Sequence, residues 1–95
     1  MPAIGVLTLE LLISESHSLK ERRHVVLSLK ERLRHRHNIS IAEVGGQDTW
    51  QNATLAAVTV SSSRQLAEQV LQAVERHAVS EVGAMLVDAS IEWLE

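Results

Sequence analysis

The sequence predicts an α+β sandwich: a four-stranded antiparallel sheet with two helices on one face. Three observations lead there. Apolar residues alternate with a period of two in four short segments, at Ala3–Ile13, Ile39–Val44, Ala53–Val60 and Met85–Leu94. Between the first and second, and between the third and fourth, the apolar spacing lengthens to three and four, with a serine at each start. The resulting order β-α-β-β-α-β forms two right-handed crossover units and one hairpin, which is the ferredoxin-like arrangement. At 95 residues the chain forms one domain, 1–95, with 45 % apolar residues to fill a core.

The first segment places Leu7, Leu9, Leu11 and Ile13 on one face and Thr8 and Glu10 on the other. Its second face is also partly apolar, as in a central strand. Ser14 to His17 is a polar turn. Ser18-Leu19-Lys20-Glu21 matches a capping box, in which serine and glutamate satisfy the free N–H groups of a starting helix. Leu19, Val26, Leu29 and Leu33 recur at spacings of seven, three and four, so this helix should run from Ser18 to His35. Its length is then roughly 26 Å at about 1.5 Å per residue.

Asn38 ends the helix, and Ile39 to Val44 alternates as the second strand. Gly45 to Asn52 is a polar loop containing Trp50, and a connection this short favours a hairpin into the third strand, Ala53 to Val60. The second helix should run from Ser62 to His77, capped by Ser62 with Gln65 opposite. Leu66, Ala67, Val70, Leu71, Val74 and Ala78 form its stripe. In the last strand Met85, Val87, Ala89 and Ile91 should face the helices. Glu10, Glu43, Asp88 and Glu92 are expected on a solvated sheet face.

The interior is unusual in composition, with no Phe, no Tyr and two Trp. The chain has no cysteine, which excludes disulfides, thiolate metal sites and cysteine nucleophiles. No run approaches the roughly 20 apolar residues of a membrane span. The N-terminus lacks the pattern of a signal peptide, so a cytoplasmic location without membrane attachment is expected.

Charge is distributed unevenly. Of nine basic residues, seven lie between Lys20 and Arg36. The window from Ser18 to His37 holds seven basic and two acidic residues, net +5. The remainder holds two basic and ten acidic residues, net −8, which restores the total of −3. Such a segment points to an anionic partner, most commonly nucleic acid. With Val26 at zero on a wheel of about 100° per residue, Lys20, Arg23, Lys30 and Arg34 fall on one flank with Leu27 among them. Arg22, Arg32 and Arg36 fall on the other. The first group forms a ridge that could follow a phosphate backbone, and all seven are candidate RNA- or anion-binding residues. The bland reading is that these side chains lie over the core edge and pair with carboxylates. The two middle strands carry no aromatic on which bases could stack, so RNA would be held by charge and shape.

No catalytic set, cofactor motif or metal-ligand spacing appears. His35 and His37 lie on different faces of the helix. Trp50 is either a lid over the core or a partner contact.

The segments Ser18-Leu19-Lys20-Glu21-x-Arg23, Ser28-Leu29-Lys30-x-Arg32-Leu33, Asn38-x-Ser40-x-Ala42-Glu43-Val44, Gln47-Asp48-x-Trp50-Gln51 and Ala53-Thr54-Leu55 resemble the bacterial DUF503 (YlxP-like) family over nearly the whole chain. The resemblance implies a ferredoxin-like fold, a cytoplasmic location and genetic company with translation and ribosome-maturation factors. It brings no catalytic residues. Together these readings lead to a non-enzymatic protein that docks on RNA or a ribosomal particle through its basic helix. The alternative is a protein-interaction or homo-oligomerisation module that uses the open sheet face, with Ile4, Val6, Leu12, Leu86 and Leu94 exposed.

Overall fold

The computed structural model describes residues 1–13, 18–46 and 51–94. The elements are β1 (Ala3–Leu12), α1 (Leu19–Arg36), β2 (Ser40–Gly45), β3 (Asn52–Ser61), α2 (Arg64–Val82), a short 3-10 turn (Gly83–Met85) and β4 (Leu86–Leu94). All strand pairings are antiparallel and the sheet order is β2-β3-β1-β4. This is the predicted ferredoxin-like sandwich. Both helices pack on the same face, over a core of Leu7, Leu9, Leu11, Ile13, Leu55, Leu29, Leu33, Leu71 and Val74. Each fully buried aliphatic side chain contributes about 1.5–3 kcal/mol. A core without Phe or Tyr therefore relies on many such contributions.

Ser18 caps α1 as expected, its Oγ accepting from the Glu21 N–H at 3.1 Å. The cap of α2 is Ser63, not Ser62: the Ser63 Oγ accepts from the Leu66 N–H at 3.2 Å. α2 also continues well past His77, through Val82, until Gly83 closes it at φ 55°. Its last turns bury Ala78 and pack Val82 on the core.

Leu19 and Leu66, expected in the helix stripes, are 39 % and 48 % exposed, so each stripe begins further along its helix. Two expectations about the strands are corrected as well. β1 and β4 run in register from Ile4↔Leu94 to Glu10↔Asp88, then slip so that Leu11 opposes Leu86. This bulge reverses the alternation on β4. Leu86 consequently joins Ala89 and Ile91 against the core, while Val87 is exposed. Glu43 is the second correction. It opposes Leu55, a core residue, so it lies on the helix side of β2 rather than on the solvated face.

The two glycines at close approaches are explained by their neighbours. A Cβ on Gly5 would come within 2.8 Å of Leu71 and 2.9 Å of Trp93, so its absence lets α2 and Trp93 meet over β1. Gly46 has φ 83°, and a Cβ there would lie 2.6 Å from the Asn52 carbonyl oxygen. No helix among the described residues is long and apolar enough to cross a membrane.

Candidate nucleic-acid interface

α1 presents two flanks, and the basic residues divide between them largely as the helical spacing predicts. On the side of β2, Arg23, Val26, Leu27, Lys30 and Glu43 line a shallow depression of about 230 Å³. Lys20 and Arg34 continue this row at spacings of three and four along the helix. Leu27, 55 % exposed, lies in the middle of the row. Arg32 and Arg36 occupy the other flank, where they line a separate depression with His35, His77 and Glu81 of α2.

Arg22 departs from the expectation. It is 3 % exposed and lies in the buried line Arg22, Val26, Leu29, Leu33, so no phosphate reaches it. Its guanidinium forms an ion pair with Glu43. It also donates from Nη2 to the carbonyls of Gly46 and Asn52, both at 2.8 Å, and from Nε to Asn52 at 3.1 Å. These two residues stand at either end of the β2–β3 connection. Arg22 therefore ties the first turn of α1 to the base of that hairpin. A buried charge is tolerated only with such pairing. The signal was present in the sequence: positions 22, 26, 29 and 33 have the 4-3-4 spacing of a core stripe, and Glu43 shares the inward parity of Ile41.

The remaining basic residues differ in their partners. Arg34 donates to both Glu31 carboxylate oxygens, at 2.7 and 2.5 Å, within one helical turn. Arg32 pairs with Glu81 across to α2. Both pairs are exposed, and exposed pairs contribute about 0–1 kcal/mol, so they yield readily to a competing anion. Arg34 and Arg32, acting first through their hydrogen bonds, hold the carboxyls of Glu31 and Glu81 below the usual range. Among the described residues, Lys20, Arg23, Lys30 and Arg36 have no carboxylate partner. Unpaired cations are thus concentrated on α1.

At the end of α1 the His37 Nε2 lies 3.0 Å from the His77 Nδ1, and the His77 Nε2 lies 3.3 Å from Glu81. Burial, then the His77 ring and Arg36, pushes the His37 pKa down. The chain His37–His77–Glu81–Arg32 links α1 to α2. No group of three or more metal-ligating side chains comes together among the described residues. Trp50 lies outside the described residues, as do His17, Gln47 and Asp48.

Solved structures with similar backbones include a de novo designed protein, Foldit4, with TM-score 0.60 and 5 % identity, covering 100 % of this chain and 98 % of that one. Another is a Bordetella bronchiseptica protein assigned by name to the antibiotic biosynthesis monooxygenases, with TM-score 0.56 and 9 % identity, covering 97 % and 95 %. At such identities the likeness shows the fold alone. In sequence, the Bacillus subtilis (strain 168) uncharacterized protein YlxP is 42 % identical over 71 residues, 75 % of this chain and 77 % of its own length. The model of the protein family of unknown function DUF503 matches residues 4–91, and the chain belongs to that family.

Proposed function

We propose that this protein is a non-catalytic RNA-binding protein that docks on structured RNA, in a ribosomal particle or a precursor of one, through the β2-side flank of α1. The observation that carries the reading is the row Lys20, Arg23, Lys30, Arg34 on one helix flank, three of its four cations without a carboxylate partner among the described residues. Opposed to it is a sheet whose four strands contain no lysine or arginine. A phosphate backbone is attracted to one side of the molecule and repelled by the other. Arg22 acts indirectly, by holding the start of α1 against the hairpin. Arg32 and Arg36 add positive potential from the far flank.

Four phosphate contacts give a slope of log affinity against log salt of about −3 to −4, at roughly 0.7–0.9 per contact. Affinity for a labelled RNA hairpin, measured by fluorescence anisotropy, should therefore fall roughly a hundredfold between about 50 and about 200 mM salt. No binding at the lower salt, or binding indifferent to salt, contradicts the proposal.

A further inference from the structure

The sheet face turned away from the helices has two distinct ends. At one end the register sets Leu94, Ile4 and Val60 side by side, with Val6 and Val58 in the next row on the same face. Leu94 and Val60 are 54 % and 56 % exposed. At the other end Glu10 and Asp88 stand directly opposite each other on adjacent strands. Such like-charged cross-strand pairs are destabilising. Glu92, beside Val6, is the third carboxylate of the face. None of the three has an ion-pair partner among the described residues.

We propose that this face is a docking surface for a basic, apolar-faced segment of another protein. The apolar rows supply the contact area, and the Glu10–Asp88 pair supplies a site that a cation relieves. A second copy packed face to face fits poorly. Its strands carry no basic residue to relieve the Glu10–Asp88 repulsion, and it adds three more carboxylates to the same interface. RNA is repelled for the same reason. The surface is separate from the phosphate row on α1, on the opposite side of the sandwich, and does not depend on it.

The test uses three synthetic peptides titrated into the isotopically labelled full chain: a Leu/Lys amphipathic helix, the same composition scrambled to remove its apolar face, and a Leu/Glu amphipathic helix. The Leu/Lys peptide should bind at least about tenfold more tightly than either control, about 1.4 kcal/mol. It should move the amide signals of Val6, Val58 and Glu92 while sparing α1. Glu10→Gln with Asp88→Asn removes a repulsion, so it should fold normally while weakening the peptide about tenfold. Val58→Thr with Val60→Thr should weaken it independently through the apolar rows. Equal binding of the scrambled peptide, or signal changes confined to the helices, overturns the proposal. A sedimentation dimer that Val58→Thr with Val60→Thr dissociates would assign the face to a second copy and overturn it equally.

Discussion

Arg22 shows how one residue can look functional in sequence and be structural in the fold. Counted as charge, it belongs with its six basic neighbours. By position it occupies the core line of α1, where Glu43 and two carbonyls compensate its burial. Removing one member of a buried pair leaves the other uncompensated, so Arg22→Ala should cost about 3 kcal/mol in urea denaturation. Arg22→Met combined with Glu43→Leu should cost less than Arg22→Ala alone, since no charge is then stranded. His37 makes a second residue-scale prediction. Its folded pKa is below the ordinary 6.5, so the unfolded chain binds the proton more readily. Stability from this group is present above that value and is lost as pH falls through it towards the lowered folded pKa. The thermal midpoint should drop between about pH 7.5 and about pH 5.5, and His37→Gln should flatten that dependence.

At the scale of elements, the cap of α1, the strand order and most of each core stripe were legible because each rests on local spacing. Ser18 caps α1 where the capping pattern places it, its Oγ accepting from the Glu21 N–H. The three-serine run before α2 is locally ambiguous, and only the observed bond selects Ser63. Ser63→Ala should accordingly cost about 1 kcal/mol in chemical denaturation, whereas Ser62→Ala should change the midpoint little. The bulge between Glu10 and Leu11 was not legible, because a register slip belongs to a pair of strands and neither strand's own alternation records it. Its consequence is substantial. Leu86 moves from the expected open face into the core, and Val87 takes the exposed position. Glu43 was misplaced for a related reason: a carboxylate on a strand is read as solvated unless its buried partner is recognised.

For the whole molecule, the arrangement of charge is the central feature. The basic row runs along one flank of α1, and the strands contribute only carboxylates to the opposite face. The overall net charge of −3 hides this division. The seven-residue cluster and its division between two flanks were visible in sequence, but the partners of each charge and the burial of Arg22 were not. The fold withdraws Arg22, pairs Arg32 and Arg34 at the surface, and leaves Lys20, Arg23 and Lys30 on the side of β2. The position of each charge, rather than the total, should therefore govern binding. That claim has a direct test in two variants of equal charge, Arg23→Gln/Lys30→Gln on the row and Arg64→Gln/Arg76→Gln on α2. Anisotropy with the labelled RNA hairpin should show the first variant losing most of its affinity, with a salt slope smaller by about two. The second variant should bind like the unmodified chain. Equal losses in the two variants, or an unchanged affinity in the first, would contradict the assignment of RNA binding to α1.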